Sequence, residues 1–156
     1  MKKFILTLFT ILSMTTMNAQ SEDQLALKKL VDTLSNLADA RDIKSQMDYF
    51  IDDAIVCTTD GKNVYTFNGK AEIERAFTDF VASFDVVYHL NGQYTVDIDG
   101  DMATGVSYCF VTLIGDGKCN QSGECYRDTY VKQNGCWLIK RRESNIMFTK
   151  TEDLKL

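Results

Sequence analysis

The sequence contains no proline, and it has only one histidine and one tryptophan among 156 residues. Without proline, nothing prevents a strand of this chain from pairing along its whole length. A single histidine argues against a structural zinc site of cysteine and histidine ligands, and no two cysteines have CxxC spacing. The sequence therefore implies no metal ion and no cofactor.

A concentrated basic surface is also missing. The formal net charge is −5, and the one basic run is Lys140-Arg141-Arg142. Successive side chains of a strand point to opposite faces, so Arg141 is separated from its two neighbours and the run indicates a solvated edge. Because nucleic acids are bound through a continuous basic surface, we expect no nucleic-acid partner.

Long apolar runs are absent except near the N-terminus. Lys2 and Lys3 precede the apolar residues 4–12, and the small residue Ala19 ends the segment. This pattern is typical of a secretory signal, and the run is shorter than the roughly 20 residues that span a bilayer. We predict a signal peptide at residues 1–19 and one exported domain at residues 20–156, periplasmic or secreted, soluble and without membrane association. The alternative is a hydrophobic first helix of the domain itself.

The remaining composition, 45% hydrophobic and 25% charged, is typical of a globular domain. Ser21 and Gln24 match a capping box that would start a long amphipathic helix ending near Arg41. A short second helix is expected after Asp42 and a third after Gly69. The apolar residues expected on the buried helix faces are Leu27, Leu30, Val31, Leu34, Leu37, Ala38, Ile43, Met47, Phe50, Ile51, Ile73, Ala76, Phe77, Phe80, Val81 and Phe84.

Alternating apolar and polar residues predict strands in the rest of the chain. Two short strands at 54–59 and 64–67 precede the third helix, and four long ones follow it at 86–98, 102–114, 124–133 and 136–148. This order predicts an α+β fold, in which three N-terminal helices pack on a strongly curved, mostly antiparallel sheet that forms a cup with a pocket.

Five cysteines allow disulfides in an exported protein, with at least one thiol left over. Cys119 and Cys125 flank the turn-like segment Asn120-Gln121-Ser122-Gly123, so a bridge across a hairpin is one alternative. The other is that the cysteines stay reduced, with Cys57 and Cys109 acting as small apolar residues on strands. Any pairing that involves Cys136 stays open.

Four segments, in this order, resemble the SnoaL-like domains of the nuclear transport factor 2-like superfamily, which include scytalone dehydratase-type and ketosteroid isomerase-type proteins. They are Asp39-Ala40-Arg41-Asp42 running into Phe50-Ile51-Asp52-Asp53-Ala54, Phe67-Asn68-Gly69-Lys70-Ala71-Glu72-Ile73, Asp99-Gly100-Asp101-Met102-Ala103, and residues 130–139. The resemblance implies a cone that binds a small, often hydrophobic molecule at its open end, and a homodimer formed through the sheet.

The same resemblance implies site residues. His89 falls where the dehydratase-type proteins place a pocket histidine, and Asp39 falls where they place a carboxylate that orients it. The family's second histidine falls near Gly123, and its two tyrosines fall at Ala38 and Thr58. Two functions stay open: an exported binding module, and a cofactor-independent lyase or isomerase with His89 as general base. The structural alternative for His89 is a hydrogen-bonded histidine within the sheet.

Four aromatic residues on the predicted strands, Tyr108, Tyr126, Tyr130 and Trp137, have two interpretations. They line the cup and stack on a flat ligand, or they form the outer face of the sheet and support dimerisation.

Overall fold

The computed structural model describes residues 2–154, with side chains for residues 20–154. Within that range the chain forms three α-helices, one 3₁₀ turn and six strands. In order they are α1 (Lys2–Asp39), α2 (Ile43–Gln46), the 3₁₀ turn Met47–Tyr49, β1 (Phe50–Thr59), β2 (Val64–Asn68), α3 (Lys70–Ala82), β3 (Val86–Asp99), β4 (Met102–Gly115), β5 (Lys118–Gln133) and β6 (Cys136–Asp153). The predicted α+β class is confirmed.

The six strands form one sheet in the order β2-β1-β6-β5-β4-β3. β1 runs parallel to β6, and the other neighbouring strands are antiparallel. Register shifts interrupt the pairing of β1 with β6, β3 with β4 and, twice, β5 with β6. At such a shift one strand has more residues than its partner, as in a β-bulge, and the unmatched residues bend the strand. The sheet therefore curves around the helices packed on one face.

The helix ends follow local chemistry. Asp42 caps α2, because its carboxylate accepts hydrogen bonds from the backbone N–H of Ser45 at 3.1 Å and from that residue's hydroxyl at 2.7 Å. Gly69 precedes α3 with φ +79°, a conformation that side chains disfavour. Both predicted starts are confirmed.

The predicted start of α1 at Ser21 is wrong. The helix spans Lys2–Asp39, and residues 2–21 contain neither proline nor glycine to end it. The predicted signal peptide falls on residues 1–19, whose side chains lie outside the described part of the chain. No helix of the described residues has the length and apolar character needed to cross a bilayer.

Of the two alternatives for the cysteines, the Cys119–Cys125 bridge is excluded. β5 begins at Lys118, so both cysteines lie on one strand, where six residues span about 20 Å. The segment Asn120-Gln121-Ser122-Gly123 pairs with both β4 and β6. The turn lies instead at Asp116-Gly117, where both φ angles are positive, as a tight hairpin requires. All five cysteines are free thiols.

The core lies between the helices and the concave face of the sheet. Phe80 is a correction to the predicted helix faces, because its side chain is 52% exposed. Leu37, Ile51, Ala76, Phe77 and Phe84 are half-buried. The predicted residues that are buried are Leu27, Leu30, Val31, Leu34, Ala38, Ile43, Met47, Phe50, Ile73 and Val81.

Candidate functional site

A cavity of about 380 Å³ lies between the three helices and the concave face of the sheet. That volume suits a small organic molecule. Most of its wall is apolar, and the apolar lining residues are Val31, Leu34, Ala38, Ile43, Tyr65, Phe67, Ala76, Phe77, Phe80, Val81, Val111 and Ile146. The polar lining residues are Ser35, Gln46, Thr58, Asp60, His89, Asn91, Glu124, Tyr126, Arg142 and Ser144.

His89 and Asp39 meet at the wall of this cavity. Asp39, the last residue of α1, places Oδ1 2.7 Å from Nδ1 of His89. Its other oxygen, Oδ2, accepts the backbone N–H of His89 at 3.1 Å. The two side chains are 25% and 15% exposed, so Asp39 does not lie in solvent at the helix end. The carboxylate therefore fixes both the backbone and the ring of His89.

This contact determines the tautomer of His89. A carboxylate oxygen accepts a hydrogen bond, so Nδ1 carries the proton and Nε2 carries the lone pair. Among the described residues, no hydrogen-bond partner reaches Nε2. The ring therefore has an available base atom in a mostly apolar cavity.

Asn91, two residues beyond His89, joins the cavity wall to α1. Its amide nitrogen donates to Asp32 Oδ1 at 3.0 Å, and its amide oxygen accepts from Ser35 Oγ at 3.0 Å. These bonds hold α1 against β3 beside the His89–Asp39 contact. Because both polar atoms of the Asn91 amide are satisfied, its orientation is fixed.

Glu124 and Tyr126 form a second polar group on β5. Glu124 accepts hydrogen bonds from the Tyr126 hydroxyl at 2.7 Å and from Ser122 Oγ at 3.0 Å. Burial, together with the negative charge of Glu124, raises the pKa of Tyr126 well above its ordinary value. Tyr126 is thus a neutral hydrogen-bond donor at neutral pH.

Arg142 lines the cavity on β6 and forms a buried ion pair. Its Nε and Nη2 atoms donate to the two carboxylate oxygens of Asp128 at 2.8 and 2.7 Å. Its guanidinium carbon lies 4.8 Å from the centre of the Tyr126 ring. Burial alone would lower the pKa of Arg142, but the charge and hydrogen bonds of Asp128 outweigh it and raise that pKa.

The four predicted aromatic residues do not share one location. Tyr126 lines the cavity, as one of the two interpretations expects. Tyr130 and Trp137 do not, because both are buried in the core, where their polar atoms donate to Asp128 and Asp23. Tyr108 does not line the cavity either. It pairs with Cys125 in the sheet register and lies on the outer face of the sheet, opposite to its buried neighbours Ser107 and Cys109.

The resemblance assigns a second histidine and two tyrosines to three further positions, and only two of these positions line the cavity. Ala38 and Thr58 line the cavity. Gly123 does not, because it faces the outer side of the sheet, where a Cβ would overlap the ring of Phe148. Its neighbours on β5, Ser122 and Glu124, lie on the concave face of the sheet, and Glu124 lines the cavity.

Sequence reasoning missed Gln46, Glu124 and Arg142 as cavity residues. Arg142 was assigned to a solvated edge, but its side chain is only 11% exposed. The available signal was alternation along β6, where Arg142 and Ser144 share one face and Arg141 lies on the other. No comparable signal marked Gln46, whose position depends on how α2 packs.

Three comparisons identify related proteins. The family model of the SnoaL-like domain matches residues 19–143. A protein of Mycobacterium tuberculosis and one of Mycobacterium bovis, both uncharacterized, are each 26% identical over 136 residues, which cover 85% of this chain and 90% of theirs.

Solved structures share the fold at low sequence identity. A candidate scytalone dehydratase of Novosphingobium aromaticivorans superposes with a TM-score of 0.78 at 18% identity, covering 90% of this chain and 93% of that one. A hexachlorocyclohexane dehydrochlorinase of Novosphingobium barchaimii gives a TM-score of 0.75 at 14% identity, covering 85% and 92%. Because one fold hosts many functions, these structures establish the architecture alone. The match over residues 19–143, together with this shared cone architecture, shows that the chain belongs to the SnoaL-like domain family, within the nuclear transport factor 2-like fold.

Proposed function

We propose that the chain binds a small, largely apolar molecule in the cavity and that His89 removes a proton from it. The observation that carries this proposal is the 2.7 Å contact between Asp39 and His89 at the cavity wall. Such an activity is that of a cofactor-independent lyase or isomerase acting on a compound whose C–H bond is acidified by a neighbouring group.

The residues have complementary roles in this step. Nε2 of His89 takes the proton, and the resulting positive charge on the ring is stabilised by Asp39. The apolar wall excludes water and brings the C–H bond close to the base. Related folds include a dehydrochlorinase, which supports elimination as one member of this reaction class.

Deuterium exchange into a small apolar ketone, such as 2-indanone, tests the proposal. The protein is incubated with the ketone in D₂O, and loss of the α-proton signal is followed by NMR. We expect exchange above the buffer rate. His89→Gln is expected to lower the rate by about 10²-fold or more, the usual contribution of a positioned base.

Ketone binding, measured by titration of NMR line widths, separates catalysis from binding. We expect His89→Gln to bind the ketone as the parent protein does. Ser45→Ala, whose side chain lies outside the cavity lining, is the control for general effects of substitution. An unchanged exchange rate in His89→Gln would contradict the assigned role of the histidine.

The second candidate function is binding without turnover. It is supported by Ala38 and Thr58, which line the cavity where the resemblance places tyrosines. A cavity without the phenol groups of these two tyrosines has fewer acidic hydroxyls that could protonate a leaving group. Binding of the ketone without any exchange would favour this candidate.

We propose export of the chain as well. Lys2 and Lys3, the apolar residues 4–12 and the small residue Ala19 support it. Expression of the full chain in a bacterial host, followed by N-terminal sequencing of the periplasmic fraction, is expected to show cleavage after Ala19. Recovery of the uncleaved chain from the cytoplasm alone would exclude this proposal.

We further propose a homodimer formed through the outer face of the sheet. Leu90, Phe110 and Phe148 form one exposed apolar row across four strands, since Leu90 pairs with Phe110, Phe110 with Gly123, and Gly123 with Phe148. Leu90 and Phe148 are each more than half exposed, and a second copy would cover them. Light scattering is expected to give twice the monomer mass, and Phe110→Lys to give the monomer. A monomeric parent protein would contradict the proposal.

A further inference from the structure

We infer that the cavity selects an apolar amine, whose protonated nitrogen is held by Glu124 and Gln46. The inference rests on the proposed binding of a small apolar molecule and specifies the chemical class of that molecule. It follows from the kind of polar atoms that the cavity presents and from their charges.

Gln46 supplies a buried acceptor without a partner. Its side-chain nitrogen donates to the backbone carbonyl of Leu34 at 2.6 Å, which fixes the amide orientation. Its oxygen, Oε1, is buried and has no hydrogen-bond partner, although Gln46 is only 4% exposed and lines the cavity. A buried acceptor left unpaired costs about 1 to 3 kcal/mol, so a ligand gains affinity if a small rotation of the Gln46 side chain lets Oε1 accept its hydrogen bond.

The charges at the cavity are predominantly negative. Glu124 lines it with a carboxylate that only accepts hydrogen bonds, and Asp39 contributes a second carboxylate behind His89. Arg142 is the one cationic side chain among the described lining residues, and its charge is balanced by Asp128. Asp60, another lining residue, adds a further negative charge.

The thiol of Cys109 responds to the same negative field. It lies on β4 next to Glu124 in the sheet register. Burial, followed by the charges of Glu124 and Asp39, raises the pKa of Cys109 to about 12. An anion placed in this cavity would meet the same unfavourable field, whereas an ammonium group would be stabilised.

Three groups at the cavity can accept a hydrogen bond from a ligand: Gln46 Oε1, the Glu124 carboxylate and Nε2 of His89. The hydroxyls of Thr58 and Ser144, which also line it, can accept as well as donate. Ammonium groups provide three donors and a positive charge, so they satisfy more of these atoms than a hydroxyl group does. Carboxylate ligands provide no donor at all. The expected order of affinity is therefore amine, then alcohol, then carboxylate.

Four probes of one shape test this order: 2-phenylethylamine, 2-phenylethanol, phenylacetate and ethylbenzene. Their dissociation constants are measured by NMR titration at pH 7 on the full-length protein. We expect the amine to bind about tenfold more tightly than the alcohol, since a charge-assisted hydrogen bond is about twice as strong as a neutral one. Phenylacetate is expected to bind most weakly.

Two variants test which residues cause the preference for the amine. Glu124→Gln removes the charge and keeps one acceptor oxygen for the Tyr126 hydroxyl, while its NH₂ group faces Ser122 Oγ, which can accept. The amine and the alcohol should then bind equally. Gln46→Met removes the orphan acceptor and should weaken both relative to ethylbenzene. Glu143→Gln is the matched control, because Glu143 is half-exposed and pairs with Arg141 away from the cavity; it should keep the preference of the parent protein.

The outcomes distinguish this inference from the proposed function. If all four probes bind with equal affinity, or phenylacetate binds most tightly, the selectivity is wrong while ligand binding stands. An amine preference that survives in Glu124→Gln excludes the assigned residue. If none of the probes binds, ligand binding in the cavity fails, and the selectivity fails with it.

Discussion

Asp128 and Arg142 face each other on neighbouring strands, and each of the two carboxylate oxygens accepts one guanidinium hydrogen bond, at 2.8 and 2.7 Å. The Asp128 side chain is 1% exposed, so water does not replace a lost partner. The same carboxylate also accepts the hydroxyl of Tyr130 at 2.9 Å. The pair therefore holds together the cavity wall that β5 and β6 form.

Breaking this pair is expected to destabilise the fold strongly. Arg142→Met should lower the free energy of unfolding by about 3 to 5 kcal/mol, because Asp128 would remain charged and buried without its partner. The double variant Asp128→Leu/Arg142→Met should lose less than Arg142→Met alone. Urea unfolding followed by circular dichroism measures both.

The exposed neighbouring pair provides the comparison. Arg141 and Glu143 lie 2.9 Å apart with half-exposed side chains. Arg141→Met should cost less than about 1 kcal/mol. Equal losses in Arg141→Met and Arg142→Met would show that burial does not determine the contribution of the inner pair.

Asp39→Asn is expected to slow proton removal by His89 strongly while leaving the fold intact. An asparagine has one carboxamide oxygen, whereas Asp39 accepts from both the backbone N–H and the ring of His89. The backbone N–H can only donate and takes that oxygen, so the NH₂ group faces Nδ1 and moves the ring proton to Nε2. The ketone exchange rate should fall about 10²- to 10⁴-fold.

Asp42→Asn is a matched control for this change, because asparagine caps a helix as well as aspartate does. It should keep the parental exchange rate. Ketone affinity should be unchanged in both variants. A parental exchange rate in Asp39→Asn would show that the carboxylate does not set the tautomer.

Stability is expected to fall in acid through Asp23. This residue joins α1 to the end of the sheet, since Oδ1 accepts from Lys132 at 2.6 Å and from Trp137 at 2.9 Å. Partial burial raises the pKa of Asp23, but these hydrogen bonds and the lysine charge outweigh it and hold the pKa below its ordinary value. The stabilisation is therefore complete above the unfolded pKa of about 4 and is lost as the pH falls through the lower folded value.

Unfolding free energies measured between pH 7 and pH 2 check this assignment. Asp23→Asn should be less stable at pH 7 by about 1 kcal/mol and should lose less stability in acid than the parent protein. Glu22→Gln changes an exposed neighbour and should keep the parental pH profile. Parallel profiles for Asp23→Asn and the parent protein would exclude Asp23 as the source.

Thiol labelling is expected to divide the cysteines by burial. Cys136 is exposed, whereas Cys109 and Cys125 are buried. Because the pKa of Cys109 is raised to about 12, its thiol is protonated at pH 8 and reacts poorly with iodoacetamide. Mass spectrometry of the native protein should show rapid modification of Cys136 and protection of Cys109. In urea all five should react, and a bridged pair at that stage would contradict the assignment of free thiols.

Periodicity in the sequence predicted most of the fold. The apolar stripe of α1 and the alternation in β3 and β4 each reflect one buried face. Such a periodic pattern can be recognised without knowing which elements pack against that face. The first half of β5 was missed because its residues, Asn120 to Gly123, have the composition of a turn. Their strand conformation is imposed by pairing with β4 on one side and β6 on the other, which overrides local preference.

The site was less accessible to sequence reasoning than the fold. His89 and Asp39 were predicted through a family resemblance, and the structure places them in contact, while their catalytic role stays a prediction. Glu124 and Gln46 belong to elements far apart in sequence. Their approach to one cavity depends on the curvature of the sheet and the docking of α2, neither of which periodicity encodes.

The parallel contact between β1 and β6 has a kinetic consequence. Ile55 pairs with Arg141, so this contact closes a loop of more than half the chain, whereas β3 to β6 join through tight turns. Loop closure of this length is slow, so the antiparallel strands are expected to assemble before β1 and β2 join them. Residues of β1 and β2 complete the cavity wall, and the pocket therefore comes into existence only at the end of folding. Ligand capture during refolding would report the arrival of the last native contacts.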